Sequence, residues 1–227
     1  MTQFNPGLMQ DFSLTIPTLL EHAATNHPDT EIVAANSQDG PASIQGSLDV
    51  ATCIPGLLAE VAQHPDVDAI VIACFDDTGV DAVRTLVDVP VLGIGEAAYH
   101  AASMIATKFS VITTLSRSVP GLENNLMRYG LAQKCMRVRA TDIPVLKLEE
   151  GDLTTLLKIQ SEIREAITQD HAEAIVLGCA GMADLMAQLS EEFGLPVIDG
   201  VAAGVTFAEA LVNNRLGTSK IGAYSAD

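Results

Sequence analysis

The sequence has no tryptophan, and aromatics of any kind make up only 4% of its 227 residues. Basic residues are scarce too. Twelve Lys and Arg stand against 29 Asp and Glu, a formal charge of −17. That balance excludes the basic footprint that nucleic acid or an anionic lipid surface requires. No apolar run approaches the ~18 residues of a membrane-spanning helix. Met1–Gln10 has neither the basic start nor the apolar centre of an export signal, so a cytoplasmic protein is expected. The four cysteines, Cys53, Cys74, Cys135 and Cys179, do not make a disulfide framework in such a chain. None has CxxC or CxH spacing, so no zinc site is expected.

What is present is a regular alternation. Short apolar runs rich in Val and Ile read as strands: Glu31–Ala35, Ala69–Ala73, Val89–Gly93, Phe109–Thr113, Arg137–Ala140, Ala174–Gly178 and Pro196–Ile198. Their nearly continuous apolar character is that of strands covered on both faces. Between them lie helix-like stretches at Ile54–Gln63, Gly79–Leu86, Glu96–Ala106, Val119–Tyr129, Asp152–Asp170, Ala183–Phe193 and Ala202–Asn213. Gly130 and Gly194 read as the glycines that end helices. The alternation predicts an α/β fold with mainly parallel sheets flanked by helices.

The chain also repeats itself. Asp68–Ala98 and Glu173–Ala203 both run acid-Ala-Ile-Val, Cys, a small or acidic loop, a helix, Pro-Val and a Gly-containing turn. Cys74 matches Cys179, and Pro90 matches Pro196 one residue out of step. The period is too long for a solenoid. It predicts two similar lobes related by a pseudo-twofold, with the active site in the cleft between them. No long Pro/Gly/Ser linker separates them, so the crossings are placed near Gly93–Glu96 and Asp199–Val201. The first lobe is then residues 1–95 plus 202–227, and the second is 96–201.

Each repeat puts a cysteine just after its buried strand and before its helix. Strand carboxyl ends line the ligand crevice of an open α/β sheet, and a helix N-terminus there lowers a thiol pKa. A lone cysteine in such a place is commonly a small core residue. Two at matching positions point instead to chemistry, whereas Cys53 and Cys135 lack that symmetry. Opposed thiols without a metal suit a 1,1-proton transfer at a carbon acid. One thiolate takes the proton from one face and the other thiol returns one to the opposite face. The main-chain N–H groups of Phe75–Asp76 and Ala180–Gly181 are candidates to hold the enolate oxygen.

These residues resemble the hydantoin/allantoin racemase branch of the Asp/Glu racemase superfamily. The resemblance is carried by DGPASIQG at Asp39–Gly46, CFDDTGVDAVR at Cys74–Arg84, PVLGIGEAAYHAAS at Pro90–Ser103 and FSVITTLSRSVP at Phe109–Pro120. NNLMRYGLA at Asn124–Ala132, AIVLGCAGMADL at Ala174–Leu185 and PVIDGVAAGV at Pro196–Val205 complete it. It implies a cofactor-independent two-thiol racemase with Cys74 and Cys179 catalytic, a small cyclic ureide as substrate, and a homo-oligomer. It also suggests substrate contacts at Thr113 and Thr114. Read by itself, that pair offers hydroxyls and N–H groups to a ureido oxygen, or is simply a β-branched strand end with a cap. The chain departs from the family at its start. Asn5-Pro6 matches, but Gly7 and Leu8 stand where a second Asn and a hydroxyl residue are expected. Asn5 as a substrate ligand rests on half a motif.

Other signals are weaker. Gly93-Ile94-Gly95-Glu96-Ala97-Ala98 fits a GxGxxA dinucleotide fingerprint, but the place for the ribose-binding acid is taken by Thr113. We read Gly93 and Gly95 as the lobe crossing and expect no cofactor. Asp77 reads as an acid favouring the helix that follows it. Asp76 could also orient substrate or tune the thiol. The leading expectation is therefore racemisation of a 5-monosubstituted hydantoin or allantoin. A free amino acid needs charged partners, and only Arg84 and Arg117 lie near the thiol motifs. The alternatives are a same-fold Cys-dependent decarboxylase or isomerase, and a non-catalytic two-lobed binding protein.

Overall fold

The computed structural model describes residues 30–37, 39–150 and 153–225. Asn5 and the expected first strand therefore lie outside the described residues. The elements follow the predicted alternation. They are α1 (Ser47–Val61), β1 (Ile70–Ile72), α2 (Val80–Leu86), β2 (Val91–Gly93), α3 (Ile94–Ile105), β3 (Phe109–Thr113) and α4 (Val119–Arg128). After these come β4 (Cys135–Ala140), α5 (Leu153–Thr168), β5 (Ala174–Gly178), α6 (Met186–Phe193), β6 (Val197–Asp199) and α7 (Gly200–Asn213). Short 3₁₀ turns cover Ser116–Ser118, Val145–Glu150 and Ala180–Leu185.

All described strand pairs are parallel. β1 pairs with β2 in a small sheet, and β4-β3-β5-β6 form a larger one. Every residue of β3 and β5 is buried, because helices cover both faces of the larger sheet. On one face Tyr99 and Ala102 of α3 and Leu122 and Leu126 of α4 pack on Phe109, Val111 and Val176. On the other, Ile159 and Ile163 of α5 and Leu189 of α6 pack on Ile112, Ile175 and Leu177. The small sheet has its own core of Val61, Ile72, Val80, Val83 and Val91.

Two expectations need correction. Glu31–Ala35 is not a strand. Its exposure alternates, but it has no ladder partner among the described residues. Alternation marks a face and does not supply a hydrogen-bonding neighbour. Helix α1 begins at Ser47 rather than Ile54 and runs through Pro55. Proline is most at home in a first turn, which is why the helix reads as starting there. In the fold its start is marked by Asp49, whose carboxylate accepts the Gln45 N–H at 3.0 Å. Gly130 (φ +73°) and Gly194 (φ +65°) do end helices in the left-handed region.

The repeated turns meet. A Cβ on Gly200 would stand 2.4 Å from the Ile94 carbonyl, so the first turns of α3 and α7 touch backbone to backbone. Helix α7 then runs back over the small sheet, with Gly204 giving room to Val71. The C-terminal segment stays there. Thr218 hydrogen-bonds the Asp88 and Val89 carbonyls, and Lys220 those of Arg84 and Thr85. Among the described residues no helix is long and apolar enough to cross a membrane.

Candidate active site

The parallel strands bring the expected site residues to strand carboxyl ends. Thr113 ends β3, and Cys179 directly follows β5, the neighbouring strand, with Thr113 in register with Gly178. The Thr113 hydroxyl donates to the Gly178 carbonyl at 3.2 Å. Gly178 has to lack a side chain, since a Cβ would come within about 3.0 Å of Thr113. Thr141, just beyond β4, donates its hydroxyl to the Thr113 and Thr114 carbonyls. Thr113 is thus tied to the residue before Cys179, and Thr141 holds the carbonyls of both threonines. A Cβ on Gly181 would lie 3.8 Å from the Cys179 Sγ.

Cys74 follows β1 of the small sheet and is partly accessible. Its neighbour Phe75 is buried edge-to-face against Tyr99, with ring centroids 5.4 Å apart. Phe75 belongs to the apolar cluster on which Ala180 also packs. The two thiol loops therefore share one core. None of the four cysteines is in a disulfide. Cys53 lies in α1 with its thiol on the Val50 carbonyl at 3.4 Å. Cys135 opens β4 and packs on the core.

The thiol environments differ from expectation. Cys179 is the N-cap residue of the Ala180–Leu185 turn, whereas Cys74 is not at a helix start. Helix α2 begins only at Val80, after Gly79 at φ +78°. Burial, then the Asp76 carboxylate, push the Cys74 thiol up to about 12 rather than down. The Thr78 hydroxyl, 3.6 Å from the sulfur, and the Asp76 main-chain N–H oppose that rise. Burial likewise raises the Asp76 carboxyl to about 6.

Asp77 does not serve the helix that follows it. Its buried carboxylate reaches the next helix, α3, and accepts the Gly95 and Glu96 N–H groups, each at 2.8 Å. It also accepts the Tyr129 hydroxyl at 2.8 Å. A Cβ on Gly93 would be 2.0 Å from this carboxylate, and one on Gly95 2.8 Å. This explains the GxGxxA pattern. The anion held on those glycines at the helix N-terminus is the chain's own side chain, which occupies the place of a phosphate. In the second repeat the cap is local, with Asp199 accepting the Val201 and Ala202 N–H groups at 3.1 and 2.9 Å.

Asp77 as the α3 cap, and its neighbours Asn125 of α4 and Tyr129 just past that helix, were missed by reading the sequence alone. Asn125 donates to the Asp76 carbonyl at 2.9 Å. A signal was available, because Gly93 stands where the second copy has the capping Asp199. An open groove of about 450 Å³ between β4 and α5, lined by Arg137, Arg139 and Glu162, contains neither thiol. Among the described residues no cluster of His, Cys, Asp and Glu could hold a metal ion.

Comparison with known proteins gives the class first. A family model described as Asp/Glu/Hydantoin racemase matches residues 14–208. The chain belongs to that family and is an enzyme of the racemase type. A hydantoin racemase of Rhizobium meliloti is 47% identical over 94% of this chain and 89% of its own length. Among solved structures, an allantoin racemase from Klebsiella pneumoniae is 40% identical with a TM-score of 0.88, over 98% of this chain and 90% of that one. An allantoin racemase from Pseudomonas fluorescens is 38% identical with a TM-score of 0.89, over 93% and 91%.

Proposed function

We propose that this protein racemises a five-membered cyclic ureide, a 5-monosubstituted hydantoin or allantoin, with Cys74 and Cys179 as the proton-transferring thiols. The observation that carries this reading is the repeat. In a chain whose relatives are hydantoin and allantoin racemases, the same loop position holds a cysteine after β1 and again after β5. Residues 1–95 with 202–227, and 96–201, are the two lobes that face these thiols toward one ring.

The chemistry follows. One thiolate takes the C5 proton, and the electron pair of the C–H bond moves into the adjacent ring carbonyl as an enolate. The other thiol gives its proton to the opposite face of C5 and is left as thiolate. The enzyme is then in the protonation state that works on the other enantiomer. Cys74, held high by burial and Asp76, rests as the thiol and serves first as the acid. Once ionised, such a thiol is a strong base. The main-chain N–H groups of Ala180 and Gly181 stabilise the enolate oxygen. Asp76 and the Thr113–Thr114 end of β3 meet the ureido N–H and C=O groups, with Phe75 behind them. Asn5 is a further contact in the family pattern.

A neutral ring also fits the arginines. Arg84 is held by Glu96 at 2.7 Å and by the Val91 carbonyl. Arg117 donates to Gln45 at 2.8 Å. Neither is kept for the α-carboxylate of a free amino acid. The test is to follow the optical rotation of enantiopure allantoin and, separately, enantiopure 5-benzylhydantoin. Decay to zero with wild type, strongly slowed in Cys74→Ser and in Cys179→Ser, supports the reading and chooses the substrate. Unchanged rotation of both compounds with wild type overturns it.

A further inference from the structure

The two halves cap corresponding helices in different ways, and the difference has a use. Gly93 and Asp199 stand at the same place in the repeat, before α3 and α7. Their backbones are nearly the same, φ −91° and ψ 146° against φ −92° and ψ 127°. A local aspartate at position 93 could therefore cap α3 as Asp199 caps α7. Instead the carboxylate comes from the Cys74 loop. It comes from a residue at φ +53°, a conformation that glycine accepts more readily than aspartate. Gly93 and Gly95 both lack side chains where it enters. Either cap would satisfy α3, but only the observed one also fastens the loop.

We propose that Asp77 is a positioning residue for Cys74. Its carboxylate ties the Cys74 loop to the first turn of α3 and, through Tyr129, to the end of α4. The loop is built around this tie. The Asp77 N–H donates to the Cys74 carbonyl at 3.0 Å and closes the turn. The Phe75 carbonyl lies against Gly95, 2.4 Å from where a Cβ would be. Asn125 holds the Asp76 carbonyl between them. The consequence for turnover rests on Cys74 being a catalytic thiol, as proposed above, but the fastening of the loop does not.

The test exchanges the two residues, Asp77→Gly with Gly93→Asp. The variant has a local cap on α3 and a glycine at the left-handed position, and loses only the tie. Thermal midpoint, the iodoacetamide alkylation rate of Cys74 relative to Cys179 at pH 8, and racemisation of allantoin and 5-benzylhydantoin are measured. The midpoint is expected to stay within about 3 °C of wild type, since the cap is replaced. Relative alkylation of Cys74 is expected to rise at least ~10-fold as the loop opens to water. kcat is expected to fall at least ~30-fold with KM changed less than ~3-fold, the pattern of a misplaced reacting group.

Unchanged alkylation overturns the proposal, as does unchanged kcat against an active wild type. In either case Asp77 is only a helix cap. If the exchanged variant does not fold, Asp77→Asn carries the same two readouts, with an expected rise in alkylation of at least ~3-fold. A wild type that racemises neither compound overturns the proposed function, and the alkylation ratio still decides the positioning role.

Discussion

The Thr113 hydroxyl donates to the Gly178 carbonyl, tying the end of β3 to the residue before Cys179. Both residues are buried, so the bond is shielded from water. Thr113→Val keeps the shape and removes the donor. It is expected to cost about 1 kcal/mol of stability, measured by urea unfolding. It should also lower kcat/KM by about tenfold, with Thr113→Ser close to wild type. A loss in Thr113→Ser with Thr113→Val close to wild type would show that shape, not the hydroxyl, matters there.

The Asp77 cap has a stability signature of its own. Asp77→Ala removes a buried carboxylate that accepts the buried Gly95 N–H and the half-buried Glu96 N–H and Tyr129 hydroxyl. The expected loss is about 2–4 kcal/mol. A surface position would lose far less, so urea midpoints of this variant and wild type at the same pH separate the two cases.

The same carboxylate gives stability a pH dependence whose sign can be worked out. Burial raises Asp77 to about 7 and Asp76 to about 6, from an ordinary 3.8. The folded chain therefore holds these protons more tightly than the unfolded one. Their contribution is complete below about pH 4 and is lost as pH rises through 6 and 7. Asp170 has the opposite sign, because Arg139 lowers it; its contribution is present above about pH 4 and lost below. Stability is expected to fall between pH 4.5 and 7.5, by less in Asp77→Asn than in wild type. Parallel declines in the two proteins would remove Asp77 as the source.

Two glycines make a contrasting pair. A Cβ on Gly95 would meet the Phe75 carbonyl at 2.4 Å, while one on Gly121 would meet nothing within 4 Å. Gly95→Ala must move the Cys74 loop backbone, and a loss of about 2–4 kcal/mol is expected. Gly121→Ala, in α4, is expected to add about 0.5–1 kcal/mol through helix propensity alone. Thermal melts of the two variants check both signs.

The sequence was most readable where one force acted alone. β3 and β5 match their predicted bounds, because helices on both faces demand an unbroken apolar run. The glycines ending α4 and α6 were equally plain, since a left-handed residue leaves few choices. Reading failed where a partner distant in sequence decided the outcome. Nothing near Asp77 says that its carboxylate caps a helix eighteen positions on, at Gly95. Glu31–Ala35 has the period of a strand but no neighbour to pair with among the described residues. The Cys74 thiol was expected to be lowered by a helix start. The fold puts α2 further along and leaves burial and Asp76 in control. The paired thiol motifs were legible because the chain states them twice.

The most direct measurement of the two-thiol account is C5 proton exchange in D₂O, followed by NMR on each enantiomer of the substrate separately. Wild type should wash deuterium into both while racemising them. Cys74→Ser should exchange only one enantiomer, without inversion, and Cys179→Ser only the other, because each thiol serves one face of the ring. If either variant exchanges both enantiomers alike, or racemises at the wild-type rate, the opposed-thiol mechanism is wrong.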